Sequence, residues 1–534
     1  MLRVRQVKVP VMNDTSEALK KSLALKLHID EQRIKKIDVV KQSIDARKKD
    51  EIYYVYEVDV NIDNEKQILN SFKNNNDILT SPSKEYTIEC TGTKVLEYPP
   101  IIVGSGPSGL FAALNLLEHG IKPIIIERGK KVDERVKDIE KLIDENKLDE
   151  ESNVQFGEGG AGTFSDGKLN TLIKDTENRC RKVFETFVEC GADADILYSY
   201  KPHIGTDVLR VVIKNLRKKI EYLGGKFLFN TKMTDVIIRD GKVLGIEVNN
   251  SEVIKTNILI LAIGNSARDT FEMLCKREIP MESKRFAVGV RIMHPQGLID
   301  VSQNGEKYCD VLSPATYKLT QPIGNRGVYT FCMCPGGYII NASSEKERIC
   351  VNGMSYHKRD SGYANSAIVV TVSESDYGND VLSGLNYQRK LEDKAYKLGN
   401  GLIPVQTLKD FFNNELTITE KDDLKIQGKY QFANLNNLFD PVITDSIKKG
   451  IETFDKRIKN FKYEDAILAA VETRTSSPIR IDRNANLESS IGGLYPAGEG
   501  AGYAGGITSS AIDGLKVAES ILKEYRGDTN EQND

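Results

Sequence analysis

Residues 101–127 read IIVGSGPSGLFAALNLLEHGIKPIIIE: an apolar strand, a glycine-rich turn, a helical segment and a second apolar strand. Gly104 permits a tight turn, Gly106 lets the backbone approach a phosphate, and Gly109 lets the helix pack closely on its strand. The pattern predicts a helix from Pro107 to His119 and a second parallel strand that ends at residue 127. This strand–turn–helix–strand unit indicates an α/β, Rossmann-like fold.

The acid at the end of this stretch completes a dinucleotide-binding fingerprint. Glu127 lies 23 residues after Gly104, near the spacing of about 20 at which an acid accepts from the adenosine ribose. Unpaired amides and the helix dipole near Pro107 and Ser108 would hold the pyrophosphate, and Arg128 follows the acid. A purely structural glycine loop is the alternative, but strand, helix, strand and acid together favour an adenine dinucleotide.

Three later segments favour FAD over NAD. Residues 157–169, GEGGAGTFSDGKL, let backbone amides lie against a pyrophosphate and an isoalloxazine ring. A predicted meander has strands 226–239, 242–250 and 252–264 around an Asp240-Gly241 turn. Residues 492–506, GGLYPAGEGAGYAGG, lead into a helix predicted from about Ile507 to Tyr525. From these segments we predict the further FAD contacts Gly159, Gly160, Gly162, Thr163, Asp166, Gly264, Gly498, Glu499, Gly506 and Ile507.

With these motifs the chain resembles flavoproteins of the glutathione-reductase-like, two-part FAD fold. AIGN at residues 262–265 matches the internal strand motif of that fold, while Glu499 stands where the late motif normally has an Asp for the ribityl chain. More narrowly, FGEGGAGTFSDGKL, FCMCPGG, ETRTSSPIRI and GEGAGYAGGI resemble a family of uncharacterised bacterial FAD-dependent dehydrogenases, over about Tyr98 to Lys523. The resemblance implies an NAD(P)/FAD-dependent oxidoreductase and is nearly silent about the substrate.

Composition agrees with an enzyme of several domains. The chain has 534 residues and a net charge of −3, and its basic residues are interspersed with acids, which argues against nucleic-acid binding. No apolar run approaches the roughly 18 residues of a membrane helix, and the N-terminus lacks the apolar core of a signal peptide. Eight scattered cysteines fit reduced thiols, so we predict a cytoplasmic protein. Neither a Cys-x-x-Cys pair nor a His cluster is present, so no metal site is predicted.

The organisation follows from where the fingerprint begins. Residues 1–95 have the predicted order βαββαβ, which indicates a ferredoxin-like α+β module; it could dock a redox partner or form a structural lid. The FAD-binding domain is predicted in two parts, 96–284 and 473–525, around an inserted α+β substrate domain, 285–472. The tail 526–534 is predicted to be disordered.

Individual elements are predicted as well. In the N-terminal module they are strands 3–11, 34–45, 52–62 and 86–90 and helices 16–27 and 65–72. In the insertion they are strands 285–293, 327–342 and 367–373 and helices 387–398 and 435–461. Two charged segments, 130–151 and 214–226, are interpreted as solvated helical faces.

Catalytic candidates are residues that could stand beside the flavin. His203, in KPHIGTD, could exchange a proton with substrate or flavin, or be a hydrogen-bonded structural residue. Arg474, in ETRTSSPIRI, could clamp a carboxylate or stabilise the flavin N1 anion, or form a buried ion pair with Glu472 or Asp482.

Cys332 and Cys334 are two residues apart in FCMCPGG. In an extended segment their Cα atoms would lie about 6.6 Å apart, on one face of the strand, near the upper limit for a disulfide. The pair could therefore be a strained, easily reduced relay to the flavin. Packing or substrate contact is the alternative.

These observations predict an FAD-dependent oxidoreductase that acts on a small organic substrate at the flavin N5. No second nucleotide-binding unit is evident, so NADH or NADPH could bind transiently, or the substrate could itself be the reductant. Two alternatives remain open: an FAD-dependent RNA-modifying protein that binds RNA through residues 1–95, and a flavin-binding redox sensor that acts through its two cysteines.

Overall fold

The computed structural model of the protein describes residues 1–418 and 424–527. Its first elements are β1 (Leu2–Pro10), α1 (Ser16–Leu27), β2 (Ile34–Asp45), β3 (Tyr53–Ile62), α2 (Glu65–Ser71) and β4 (Ile78–Thr80). They form a four-stranded antiparallel sheet in the order β2-β3-β1-β4. The Thr15 hydroxyl caps α1 by accepting from the Ala18 amide at 3.1 Å. Alternate residues Tyr56, Val58 and Val60 of β3 enter the core.

The last strand of this sheet differs from the predicted strand 86–90. Ile78 packs in the core of the N-terminal sheet, and the strand that pairs with β1 is therefore β4, which precedes the predicted strand in the chain. Residues 86–90 instead run along the neighbouring domain, where the Tyr86 hydroxyl donates to Glu519 at 2.8 Å and Ile88 packs against its core.

Residues 101–283 supply most of a second unit. Its elements are β5 (Ile101–Val103), α3 (Pro107–Glu118), β6 (Ile124–Ile126), α4 (Val132–Glu145), α5 (Arg179–Glu189), α6 (Thr206–Tyr222), β7 (Lys226–Leu228), β8 (Met233–Arg239), β9 (Lys242–Val248), β10 (Glu252–Lys255), β11 (Leu259–Leu261), α7 (Arg268–Lys276) and β12 (Met281–Ser283). The predicted strands 226–239 and 252–264 are each divided between two sheets. β8, β9 and β10 form an antiparallel meander whose turn has positive φ at Asp240 and Gly241, whereas β7 and β11 join a parallel sheet.

Residues 286–472 form the insertion. Its elements are β13 (Phe286–Pro295), α8 (Gln296–Asn304), β14 (Thr320–Ile323), β15 (Arg326–Cys334), β16 (Tyr338–Asn341), β17 (Val351–Met354), β18 (Tyr363–Val372), α9 (Glu374–Tyr377), α10 (Ser383–Leu398), β19 (Ile403–Thr407), α11 (Leu408–Asn413), β20 (Ile426–Gln427), β21 (Tyr430–Phe432), α12 (Pro441–Asp455) and β22 (Ile467–Glu472). A seven-stranded sheet has the order β14-β15-β18-β13-β22-β19-β21, and β17-β16-β20 form a smaller one.

Two predictions in the insertion are wrong in detail. The predicted strand 327–342 is two strands, because Gly336 turns the chain with φ +50°. The predicted helix 435–461 is an α-helix only in α12, which begins at Pro441, a residue suited to the first helical position.

After the insertion, β23 (Ile479–Ile481) pairs antiparallel with β12 in a two-stranded sheet. The chain then returns to the parallel sheet with β24 (Leu494–Pro496), and α13 (Ile507–Leu522) follows. The complete parallel sheet has the order β24-β11-β5-β6-β7. Of the predicted disordered tail, residues 528–534 lie outside the described residues. The described part contains no helix that is long and apolar enough to cross a membrane.

Among the described residues, Gln42 of the N-terminal sheet and Ile52, just before β3, contact the rest of the molecule. The backbone amide of Gln42 in β2 donates to the Tyr198 carbonyl at 2.7 Å, and the Gln42 backbone carbonyl accepts from the Tyr200 amide at 2.9 Å. Elsewhere Ile52 packs in a small apolar cluster with Tyr308 and Leu312. Both contacted segments lead directly into residues that line the large cavity described below.

Candidate cofactor and substrate cavity

A cavity of about 970 Å³ lies at the carboxyl ends of the parallel strands. The turns after β5, β6, β11 and β24 bring Gly104, Glu127, Gly264 and Gly498 to its wall. Strand ends on one edge of a parallel sheet are where α/β folds bind ligands. One side of the cavity is closed by β15 of the insertion, which contributes Cys332 and Cys334.

The three glycines of the first turn have different surroundings. A Cβ at Gly104, whose φ is +107°, would lie 2.2 Å from the Ala262 carbonyl oxygen, and one at Gly109 would lie 2.0 Å from the Gly104 carbonyl oxygen. At Gly106 the nearest atom would be the Gly160 Cα at 3.8 Å. Gly104 and Gly109 therefore serve the packing of strand and helix, whereas Gly106 keeps open a surface that faces the cavity.

The N-terminus of α3 fits a phosphate-bearing cofactor. Gly106, Pro107 and Ser108 line the cavity at the point where helix amides lack intrahelical partners. The Ser108 hydroxyl is buried without a hydrogen-bond partner in the described structure, although buried hydroxyls are normally paired. A pyrophosphate would satisfy both features.

Glu127 is buried and fully engaged by the protein. One carboxylate oxygen accepts from the Ser105 amide and hydroxyl at 3.1 and 2.7 Å, and the other accepts from the Gly129 and Gly157 amides at 2.9 and 3.1 Å. Since a carboxylate offers about four acceptor sites, a ribose contact would have to share one of these bonds. The structure thus adds a role that the fingerprint did not predict: Glu127 joins the first turn to the later glycine loop.

Arg128 lies beside this acid and lines the cavity. Its guanidinium donates to Asp269 through two bonds of 2.9 Å and to Glu151 at 2.6 Å, and it stacks on the Phe156 ring. Its charge is neutralised by the protein, and its planar group is held in place.

Arg135 organises the glycine loop, and sequence reasoning missed it. From α4 its buried guanidinium donates to five backbone carbonyls at 2.7–3.3 Å, those of Asn153, Val154, Gly157, Glu158 and Gly160. Burial lowers the pKa of Arg135 to about 9. The segment 130–151, predicted as a solvated face, therefore also has a buried face. The available signal was the helical spacing of Arg135 with Val132, Ile139 and Leu142, which are all buried.

The loop held by Arg135 lies against the first turn. The Gly159 amide donates to the Ser105 carbonyl at 2.9 Å, and a Cβ at Gly160 would lie 3.1 Å from the Gly106 Cα. Gly160 and Gly162 line the cavity, whereas Gly109, Gly159 and Thr163 lie behind its wall. The Thr163 carbonyl accepts from the Thr206 hydroxyl at 2.8 Å, which anchors the loop to α6.

The late glycine-rich turn contributes the opposite wall. The Gly498 amide donates to Asp513 at 2.7 Å, and Glu499, Gly506 and Ile507 line the cavity. Glu499 accepts from the Asn265 side-chain amide at 2.8 Å. Burial raises the pKa of Glu499 to about 7, although Lys284 acts in the opposite direction.

The two cysteines of β15 do not lie on a regular extended strand. The pairing of β15 with β18 shifts register between Phe331 and Cys334, and Cys332 has φ +41°. The expectation that both thiols project from one face of an extended strand is therefore wrong: the strand bulges at Cys332. A non-glycine residue in this region of φ is uncommon, and such residues cluster at functional sites.

Cys332 and Cys334 are both free thiols and both line the cavity. The Cys334 thiol donates to the Cys332 carbonyl at 3.2 Å. Cys334 is buried, whereas Cys332 is exposed to the cavity. Desolvation by the surrounding wall raises the pKa of both thiols, against the effect of nearby Lys168 and Arg291. At neutral pH both are protonated thiols, which are poor nucleophiles.

Arg474 lines the cavity, and its ion pair differs from the predicted one. It donates to both oxygens of the buried Glu392 at 3.1 and 3.0 Å and to the Ser344 hydroxyl at 2.6 Å. Glu472 instead pairs with the buried Arg291 through two bonds of 3.0 Å. Arg268 also donates to Glu392 at 2.7 Å, and the two guanidiniums hold the pKa of Glu392 below its usual range despite burial.

His203 is not among the residues that line the cavity. Its Nε2 lies 3.0 Å from the His357 carbonyl oxygen, and its ring stacks on that of His357 at 5.5 Å. Burial, chiefly, lowers the pKa of His203 to about 4. These contacts match the structural alternative for His203, and its role as a proton-exchanging group stays a prediction.

Asp166 lies in the cavity wall on the same side as the cysteines. Its buried carboxylate accepts from the Ser355 hydroxyl at 2.7 Å and from the Arg359 Nε at 3.2 Å, and the Lys168 ammonium lies 3.6 Å away. These partners outweigh burial and lower the pKa of Asp166 to about 2.

Comparisons with known proteins identify the cofactor. Residues 97–137 match an FAD binding domain, residues 285–475 match the family described as FAD-dependent protein, C-terminal domain-like, and residues 1–61 match a domain of unknown function. An uncharacterized protein of Clostridium beijerinckii is 45% identical over 522 residues, which cover 96% of this chain and 97% of that protein. This chain belongs to the same family. The first match spans the fingerprint, and FAD is the cofactor that the family binds.

Two solved structures of flavoprotein-type enzymes resemble this chain distantly. A geranylgeranyl bacteriochlorophyll reductase-like protein of Thermoplasma acidophilum is 13% identical, with a TM-score of 0.35 over 80% of this chain and 78% of that one. An L-proline dehydrogenase of P. horikoshii is 14% identical, with a TM-score of 0.32 over 80% and 94%.

Proposed function

We propose that the protein is an FAD-dependent oxidoreductase that transfers a hydride or electrons between FAD and a small organic substrate. The observation that carries the proposal is that one cavity joins two sets of residues. The turns of the parallel sheet, with Gly106 and Glu499, supply the features of a dinucleotide site, and β15 of the insertion adds Cys332 and Cys334 to the same cavity.

Different parts of the cavity wall would bind the cofactor and the substrate. The amides at the start of α3, with Ser108, would bind the pyrophosphate, and the loop held by Arg135 would close over it. Glu499 would accept from the ribityl chain. Bound FAD would supply the hydride chemistry at its N5. Cys332 and Arg474 would contact the substrate beside the flavin and orient it. Arg291 fixes the backbone at Cys332, because it donates to the Cys332 carbonyl at 3.1 Å.

The fold subtype, the electron donor and the cellular location are also proposed. The order of elements supports a glutathione-reductase-like subtype, with an FAD domain in two parts, 96–284 and 473–525, around a substrate domain, 285–472. NADH or NADPH is proposed as a transient donor, because a second βαβ fingerprint is lacking in the sequence. The cytoplasm is the proposed location, on the strength of the scattered cysteines. The matches concern FAD proteins and do not favour RNA modification or a redox-sensor role.

For residues 1–95, whose sheet order is that of a ferredoxin-like module, we propose a structural role at the entrance of the cavity. Gln42 holds the loop 198–200 through two backbone bonds, and the next residue, Lys201, lines the cavity. Tyr308 packs on Ile52 at the start of the segment that leads to Thr316 and Tyr317 of the cavity wall. A redox partner that docks on these residues remains a second proposal.

An anaerobic absorbance titration tests the proposed function. The purified protein is first assayed for FAD content, and the flavin bands are then followed while NADH, NADPH and dithiothreitol are added in turn. Bleaching by a nicotinamide supports a reductase; bleaching only by organic donors supports a dehydrogenase. Stoichiometric FAD that no donor in a broad metabolite screen reduces would contradict the assignment.

A further inference from the structure

One end of the cavity carries an excess of positive charge. Lys168, Lys201, Lys318 and Arg359 line this end, together with Tyr200, Thr316 and the β15 cysteines. The acid that lines the cavity there is Asp166, whereas the other acids of the wall, Glu127 and Glu499, belong to the turns of the parallel sheet. Four cations thus face one carboxylate among the described residues.

The remaining cations of the cavity are neutralised by the protein. Arg128 donates to Glu151 at 2.6 Å and to Asp269 through two bonds of 2.9 Å. Lys232 donates to Glu151 at 3.0 Å and also forms an ion pair with Asp269. Arg474 pairs with Glu392. The excess is therefore confined to the end beside Cys332 and is not a general property of the wall.

Asp166 cannot neutralise its surroundings. It is shared by Arg359, which donates through two nitrogens, and Lys168, whose ammonium also donates to the Met333 carbonyl. Lys201 donates to the Thr316 hydroxyl at 2.6 Å and forms no ion pair in the described residues. Lys201 is exposed at the surface of the cavity; partial desolvation by the wall, and then repulsion by Arg359 and Lys168, lowers its pKa. Like charges held together in a cavity are unfavourable unless an anion joins them.

We propose that this end of the cavity binds the anionic group of the substrate, which makes the substrate a small organic anion held by Lys201, Lys168 and Lys318. The inference rests on the proposed function, because it places the anion beside the flavin that the opposite walls hold. Arg359 and Asp166 would fix the site, and the lysines would supply the charge. The shared chemistry is that of a carboxylate or a phosphate ester.

The test is isothermal titration calorimetry on the FAD-loaded protein at constant ionic strength. The probes are succinate, glycerol 1-phosphate and succinamide, which is neutral and close to succinate in size. We expect one or both anions to bind and succinamide not to bind. Lys201→Gln should weaken binding of the anion about three- to tenfold, the effect of one charge-assisted contact that is partly open to water, and Lys318→Gln should weaken it in the same direction.

Lys218→Gln is the matched control, because Lys218 is exposed on α6 and does not line the cavity. FAD content is measured for every variant. If FAD is present at wild-type level and neither anion binds, if succinamide binds as tightly as succinate, or if Lys201→Gln leaves the anion affinity unchanged, the anion site is wrong. A flavin that no donor reduces, with anion binding that depends on Lys201, would instead contradict only the oxidoreductase assignment.

Discussion

Alanine substitutions at the three glycines of the GSGPSG turn should have different effects: one should weaken FAD binding, and the other two should lower the stability of the protein. In Gly106→Ala, the methyl group takes an allowed conformation, φ −75° and ψ −179°, and its nearest neighbour is the Gly160 Cα at 3.8 Å. Restricting the unfolded chain stabilises by about 0.4–1 kcal/mol, and alanine in place of glycine as N-cap costs about 0.5–1 kcal/mol. These effects cancel, so the stability of the FAD-free protein should not change.

The same methyl group occupies the surface that a pyrophosphate would approach. Losing one charge-assisted amide contact costs about 1.5–3 kcal/mol, which is roughly a 10- to 150-fold weaker Kd for FAD. In Gly104→Ala, by contrast, the methyl would lie 2.2 Å from the Ala262 carbonyl oxygen at φ +107°. Backbone strain of about 1–3 kcal/mol and overpacking of about 1–3 kcal/mol should then lower the stability of the FAD-free protein.

Two measurements on each variant check this reasoning: the thermal unfolding midpoint after removal of FAD, and the Kd of FAD from quenching of flavin fluorescence. Gly109→Ala is a second stability control, because its methyl would lie 2.0 Å from the Gly104 carbonyl oxygen. Wild-type FAD affinity in Gly106→Ala would refute the assigned approach of the pyrophosphate. An equal loss of stability in Gly106→Ala and Gly104→Ala would refute the separation of roles.

Three further outcomes are expected. Burial raises the pKa of Glu499 to about 7, so the folded FAD-free protein keeps a proton that the unfolded chain releases near pH 4.5. The stability of wild type relative to Glu499→Gln should therefore fall by up to about 3 kcal/mol as the pH rises from 4.5 to 7. Above pH 7 this difference in stability should stay constant. A flat difference in urea midpoints across this range would contradict it. Arg135→Lys keeps a charge but has at most three donors for five carbonyls, so at least two hydrogen bonds are lost. Because the Gly157 and Gly160 carbonyls also accept from backbone amides, each lost bond should cost about 0.5–1.5 kcal/mol, and urea unfolding should show a loss of about 1–3 kcal/mol. FAD should also bind more weakly, whereas wild-type stability and affinity would show that the Arg135 contacts are dispensable. Cys332→Ser should retain FAD, because the residue lies on β15 and away from the glycine turns, but should slow flavin reduction or reoxidation in stopped-flow experiments; unchanged rates with every donor and acceptor would leave the thiol a packing role.

Local patterns predicted much of the fold. Alternating and helical apolar spacing was sufficient for α1, β2 and the strand–turn–helix unit from β5 to β6, because these elements depend on residues close in the chain. The same spacing failed where a strand leaves one sheet for another. The predicted strand 226–239 is apolar along much of its length, and only pairing with β6 or β9 decides that it is β7 followed by β8.

Local sequence was enough to recognise the cofactor site: the three glycines, the acid at residue 127 and the late glycine turn each meet a backbone or charge requirement that is set by neighbouring residues. The partners of the charged side chains in the cavity depend instead on how distant segments pack together. Arg474 pairs with Glu392, 82 residues earlier, instead of the adjacent Glu472, and Lys201 meets Thr316, 115 residues later. Such partners are chosen by how sheets and loops pack in space, and no spacing along the chain records that choice.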